Sequence, residues 1–148
     1  MPESPETTID LAWEGGLRFT SRDRFGHSVT VDAPEEDGQP FDGFKPGELL
    51  LTSLAGCSGI DVVGILKRQR QRVTGVGIRV RGTQLPDPPW TWTDIELAYT
   101  VTGHGLTAAA VERAIHLSET KYCSVGATLS PQVSITSTYR IVEHDPIS

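Results

Sequence analysis

The side chains best suited to covalent chemistry are two cysteines, Cys57 and Cys123, which lie far apart in a chain of 148 residues. Neither belongs to a Cys-x-x-Cys pair or to a cluster of cysteine and histidine, so the sequence predicts no metal site and no cofactor. Two cysteines in a reducing compartment are either inert core residues or a redox pair. The spacing alone leaves both interpretations open.

The immediate surroundings of Cys57 are small, in Gly56-Cys57-Ser58-Gly59. A glycine in a helix interior costs about 1 kcal/mol relative to alanine. Two glycines this close therefore indicate either close helix packing or a need for access to the sulfur. Asp61 follows one helical turn later, and a carboxylate on that face would raise the pKa of the Cys57 thiol.

The elements that must position these cysteines follow an α+β pattern, predicted as β-β-β-α-β-β-α-β in a single domain of residues 1–148. Alternation of apolar and polar residues predicts strands near 9–31, 76–81, 95–101 and 133–141. Cys57 lies in the first predicted helix, which starts near Pro46, and Cys123 follows the second, which starts at Thr107. The two helices and the strands between them would therefore set the distance between the sulfurs.

The first predicted helix is apolar nearly all round its axis over roughly 25 residues, or about 37 Å. Such a helix is typically buried. Burying it on every side needs more surface than one subunit of this size has, which predicts a dimer.

Composition excludes several classes of function. Hydrophobic residues make up 37% and charged residues 22%, as in an ordinary globular protein, and the net charge of −6 disfavours nucleic-acid binding. The sequence has no uninterrupted apolar run of about 18 residues, the length of a membrane helix, so we expect no association with a membrane. The acidic, proline-rich start is unlike a signal peptide, so we expect a cytoplasmic protein.

The segments around both cysteines resemble the OsmC/Ohr family, and in particular its small OsmC-like subgroup. The resemblance covers almost the whole chain. The motifs that carry it are Pro46–Leu50, Ala55–Cys57, Asp61–Val63 and Leu117–Val125.

This resemblance implies an intertwined homodimer in which sheets from both subunits wrap the central helices. It also implies an antioxidant enzyme of the stress response, an organic hydroperoxide reductase. Cys57 would match the peroxidatic cysteine, which becomes a sulfenic acid, and Cys123 the resolving cysteine, which closes a disulfide. A dithiol of the lipoyl type would then reduce that disulfide.

Family peroxidases also use an arginine beside the thiolate and a glutamate that holds the arginine. The matching arginine here is Arg22, with Arg24 as the spare, and either could be a solvated turn residue. The glutamate is displaced: Gly47 follows Pro46, and Glu48 comes one residue later. Glu48 and Cys57 are nine positions apart, so they lie on opposite faces of a regular helix. Glu48 could serve the site only if the helix is broken or kinked near its start, or it could complement the helix N-terminus.

Two further departures leave the activity open. Ser58 and Ser124 follow the two cysteines, where family peroxidases carry Phe and Pro. Asp61 could bind an arginine in place of the missing glutamate. The alternatives to a peroxidase are a non-catalytic dimer that binds an apolar small molecule and a thiol redox sensor. The amount of peroxide consumed per subunit separates the three hypotheses. A peroxidase predicts many turnovers, a non-catalytic dimer none, and a redox sensor about one.

Overall fold

A computed structural model describes residues 2–144 and confirms the α+β class. Contacts along the chain divide it into two compact units, Met1–Leu50 and Leu51–Ser148, each described here by itself. The prediction of one domain over 1–148 stays a prediction. The strands are β1 (Asp10–Trp13), β2 (Phe19–Arg22), β3 (Ser28–Val31), β4 (Arg72–Gln84), β5 (Trp92–His104) and β6 (Ser134–Glu143). The helices are α1 (Pro46–Arg68), α2 (Ala108–Leu117) and α3 (Ser124–Leu129), with a π-helical segment at Ser118–Tyr122.

The N-terminal unit is built on an antiparallel sheet in the order β1-β2-β3. Gly15 and Gly16 both have positive φ, which suits the tight turn between β1 and β2. The loop after β3 is held by the Asp32 carboxylate, which accepts hydrogen bonds from the backbone N–H groups of Asp42 and Ala33. The bond from Asp42 is the main reason why the pKa of Asp32 lies below its ordinary value.

Helix α1 begins at Pro46, a residue that suits the first helical turn, and ends with Lys67 and Arg68, which complement the helix dipole. The helix is unbroken over its 23 residues. In a single chain the helix is only partly buried, and its burial on all sides by a second subunit stays a prediction. Ile60 is 77% exposed, and only 28% of the most apolar part of the helix is buried.

Among residues 2–144, α1 is also the one helix whose length and mean hydropathy, 1.9, would suffice to cross a membrane. Small and polar residues interrupt the apolar run of α1, so the absence of an uninterrupted run in the sequence understates this apolar character. A single helix of this kind is weak support for a membrane span, because core helices of soluble proteins reach the same values.

The C-terminal unit has a sheet in the order β4-β5-β6, with β4 and β5 antiparallel and β5 and β6 parallel. The central strand β5 buries alternate side chains, among them Leu97, Tyr99 and Val101, as its period-two pattern predicts. Helix α2 starts after Thr107, whose hydroxyl accepts a hydrogen bond from the Ala110 N–H. The π-helical segment and α3, neither of which the sequence analysis predicted, follow α2 and surround Cys123.

Candidate active site: two thiols and a carboxylate

The C-terminal unit brings Cys57 and Cys123 together. Both are free cysteines, and their sulfur atoms and a carboxylate oxygen of Asp61 all lie within 4.8 Å of one another. Cys57 is half-buried and Cys123 is 4% exposed, so one sulfur is more accessible than the other. The sequence analysis named both cysteines but left their distance open.

Local backbone geometry explains how each sulfur reaches this place. Cys57 and Asp61 are four residues apart on α1 and therefore share one helix face. Cys123 follows the π-helical segment, and its N–H donates to the Ser118 carbonyl at 2.9 Å. The Cys123 sulfur then accepts a hydrogen bond of 3.3 Å from the Gly126 N–H, which caps the start of α3.

The surroundings of Cys57 favour its thiolate. Burial is the largest single effect on Cys57 and opposes ionisation, but several hydrogen bonds together outweigh it. They come from the Val125 N–H, from the Cys123 thiol, and from both the hydroxyl and the N–H of Ser124. The pKa of the Cys57 thiol is consequently lower than its ordinary value.

The pKa of Cys123 is shifted the other way, above its ordinary value. Burial is the main cause, and the adjacent Cys57 adds to it, while hydrogen bonds from the Ser58 hydroxyl and the Gly126 N–H reduce the shift. Because the two thiols titrate as an interacting pair, the arrangement favours a thiolate at Cys57 and a protonated thiol at Cys123.

Asp61 is held by a serine. The Ser118 hydroxyl, fully buried, donates a hydrogen bond of 2.9 Å to Oδ2 of Asp61. The salt bridges found among residues 2–144 join Arg18 with Asp42, His27 with Asp23 and Arg81 with Glu96. The expected ion pair between Asp61 and an arginine is therefore not among those seen in the described part of the chain.

Tyr99 lies close to the cluster from the β5 side. Its side chain is 2% exposed, and no group in the described residues makes a hydrogen bond of normal geometry to its hydroxyl. Burial raises the pKa of Tyr99 to about 12, so the hydroxyl stays protonated at neutral pH. The charges of Glu119, Cys123 and Asp61 act in the same direction.

The other predicted site residues lie near or in the N-terminal unit. Arg22 is the last residue of β2, and Arg24 follows in the next turn with its guanidinium 4.8 Å from the centre of the Phe25 ring. Glu48 is in the first turn of α1, which is helical without interruption from Pro46 to Arg68. The catalytic roles of Arg22 and Glu48 stay predictions.

Three serines around the cysteines have contacts that sequence reasoning missed. Ser58 donates to the Cys123 sulfur at 3.5 Å, Ser124 donates to Cys57, and Ser118 holds Asp61. Ser58 and Ser124 were visible as departures from the family pattern. Their position directly after each cysteine was the available signal that serine hydroxyls donate hydrogen bonds to the sulfur atoms.

Comparison with known proteins places this chain in a defined family. A sequence model described as OsmC-like protein matches residues 27–138, and the chain belongs to the OsmC-like family. It is 38% identical to Protein YhfA of Escherichia coli K12 over 132 residues, which are 89% of this chain and 96% of that protein.

Solved structures agree with this assignment. A hypothetical protein from Aquifex aeolicus VF5 is 29% identical, with a TM-score of 0.84 over 96% of this chain and 100% of the other. An organic hydroperoxide resistance protein OsmC from Legionella pneumophila is 14% identical, with a TM-score of 0.65 over 93% of this chain and 98% of the other. At that identity the second likeness concerns the fold alone.

Proposed function

We propose that this protein is a thiol-dependent peroxidase that reduces organic hydroperoxides. Membership of the OsmC-like family suggests a peroxide-related redox function. The observation that carries the finer proposal is the pair of sulfurs within 4.8 Å, with the pKa of Cys57 lowered and that of Cys123 raised. Organic hydroperoxide resistance proteins of Legionella pneumophila and Bacillus subtilis share the fold, and the substrate class that we propose is the one these proteins are named for.

In the first step the Cys57 thiolate attacks the terminal oxygen of the hydroperoxide. The O–O bond breaks, Cys57 becomes a sulfenic acid, and the alkoxide takes up a proton and leaves as an alcohol. The hydrogen bonds from Ser124 and Val125 keep Cys57 ionised before the attack.

In the second step the Cys123 thiol attacks the Cys57 sulfenic sulfur, a disulfide forms and water leaves. A disulfide needs an S–S distance of about 2.05 Å, so the side chains must close the remaining gap by rotation. A dithiol then reduces this disulfide by thiol–disulfide exchange. The dithiol itself becomes a disulfide, and both cysteines return to thiols. We propose a lipoyl-type dithiol as this reductant.

The apolar surface of α1 supports an intertwined homodimer as the working form. Ile60 is 77% exposed, and its neighbour one turn earlier is Gly56, which is also exposed. A glycine beside a large exposed side chain allows a second helix to approach closely. The net charge of −6 disfavours nucleic-acid partners. A cytoplasmic location without membrane partners is a further part of the proposal.

Steady-state consumption of cumene hydroperoxide tests the function. Reduced protein is mixed with excess dihydrolipoamide and the peroxide, and both reagents are followed with time. We expect many turnovers per chain, none in Cys57→Ser, and strongly reduced turnover in Cys123→Ser. About one equivalent consumed per chain would favour the redox sensor instead, and no consumption would contradict both.

A further inference from the structure

We propose that the reduced protein binds one thiophilic divalent cation of the zinc type through Cys57, Asp61 and Cys123. The metal site does not depend on the proposed peroxidase function, because it requires only that both cysteines are reduced. The sequence predicted no metal site, since the three residues form no recognisable ligand motif. The fold creates this set of three ligands, because it brings Cys123 next to Cys57 and Asp61, which share one face of α1.

The geometry of the three donor atoms suits such an ion. A tetrahedral zinc centre with Zn–S bonds near 2.3 Å holds two sulfurs about 3.8 Å apart, and a sulfur and an oxygen slightly closer. The three donor atoms here already lie within 4.8 Å of one another. Small rotations of the side chains would bring them to bonding positions without moving the helix.

Two of the three donors, Asp61 and Cys123, are also oriented by further groups. The Ser118 hydroxyl binds Oδ2 of Asp61 and leaves the other oxygen available. The Gly126 N–H and the Ser58 hydroxyl bind the Cys123 sulfur, at 3.3 and 3.5 Å. Outer contacts of this kind fix the ligands of metal sites and contribute strongly to affinity.

The chemistry of the donor set decides which cation fits. Two thiolates favour zinc over magnesium or calcium, which prefer oxygen ligands. The two thiolates and the carboxylate more than balance a double positive charge. Three protein ligands leave a fourth position for water, and the half-buried Cys57 and Asp61 give the ion a path to the site.

The bound cation and the peroxide would compete for the same sulfurs. When peroxide oxidises the two thiolates to a disulfide, its O–O bond breaks, and it takes two electrons from the sulfurs and two protons from solvent to become an alcohol and water. Both sulfur donors are then lost, and the cation is released. Metal binding would thus protect the reduced cysteines, and oxidation would reverse it.

Titration with Co²⁺, a spectroscopic substitute for Zn²⁺, tests the site in reduced protein stripped of metal by a chelator. We expect sulfur-to-cobalt charge-transfer absorption that saturates at one ion per chain and is displaced by Zn²⁺. Cys57→Ser and Cys123→Ser should each abolish tight binding. Asp61→Asn, which keeps both thiols, should weaken binding about tenfold or more, a cost of about 1.4 kcal/mol.

Asp37→Asn is the matched control, because it removes an exposed carboxylate outside the cluster. Wild-type protein with both thiols blocked by iodoacetamide controls for binding elsewhere, and Asp61→Glu tests the carboxylate if Asp61→Asn does not fold. Absence of the charge-transfer absorption, or unchanged affinity in a folded Asp61→Asn, would overturn the site. A protein that binds Co²⁺ in this way but consumes no peroxide would refute the proposed function and leave the metal site standing.

Discussion

The Cys123 thiol donates a hydrogen bond to Cys57, and the pKa values of the two thiols shift in opposite directions. Burial acts against both thiolates, but only at Cys57 do the hydrogen bonds outweigh it. The thiol that is more exposed is therefore also the one that ionises first. This division of properties is what a peroxidatic and a resolving cysteine require.

Selective alkylation follows from this asymmetry. At pH 7 we expect Cys57 to react with iodoacetamide before Cys123 in chelator-treated protein, because a lowered pKa gives a larger thiolate fraction and Cys57 is more exposed. The advantage should shrink as the pH rises through the ordinary range of thiols. Peptide mapping at early times measures the order, and modification of Cys123 first would contradict the assignment.

Replacing Ser124 tests how the Cys57 thiolate is stabilised. Ser124→Ala removes the hydroxyl that donates to Cys57 but keeps the backbone N–H groups of α3. We expect the pKa of Cys57 to rise and alkylation at pH 7 to slow severalfold, with recovery at higher pH. Ser134→Ala, at an exposed position on β6, is the control and should leave the pH profile unchanged.

The contact between Ser118 and Asp61 should contribute to stability. Ser118 is fully buried, so Ser118→Ala leaves the carboxylate without its hydroxyl donor and should lower the free energy of unfolding by about 1–3 kcal/mol. Urea unfolding of the reduced protein measures the loss. An effect as small as that of Ser134→Ala would show that the hydrogen bond is energetically unimportant.

Replacing Gly103 tests the close packing between β4 and β5 at one end of the β4-β5-β6 sheet. A Cβ at this position would clash with the Arg72 carbonyl oxygen of β4, a backbone atom that cannot easily move. We expect Gly103→Ala to destabilise the protein by about 2 kcal/mol or more. Gly77→Ala is the matched control on β4, because a Cβ there meets nothing within 4 Å. Equal unfolding midpoints for both variants would contradict the proposed clash.

Much of the fold was readable from local patterns, and most of the site was not. The alternation along β5 and the capping residue Thr107 are encoded within a few residues, and both predict the observed elements. The π-helical segment that positions Cys123 has no such local signature. The contacts of Ser118 with Asp61 and of Ser58 with Cys123 join residues 57 and 65 positions apart, so they depend on how α1 packs in the C-terminal unit.

Helix α1 shows the limit of the sequence argument in another way. Its all-round apolar character predicts full burial only with a second subunit, and Ile60 is exposed in a single chain. The surface that would cover Ile60 in the proposed homodimer cannot be read from local sequence patterns. If the homodimer forms through this face, Ile60→Glu should shift the protein toward monomer in sedimentation velocity, and an unchanged sedimentation coefficient would exclude this face.

The most direct test of the central claim is a single turnover. One equivalent of cumene hydroperoxide is added to reduced, metal-free protein, and free thiols and intact mass are measured within seconds. We predict loss of both thiols and of two hydrogens per chain, no change in Cys57→Ser, and a sulfenic acid that dimedone traps in Cys123→Ser. Survival of both thiols in the wild-type protein would contradict the account.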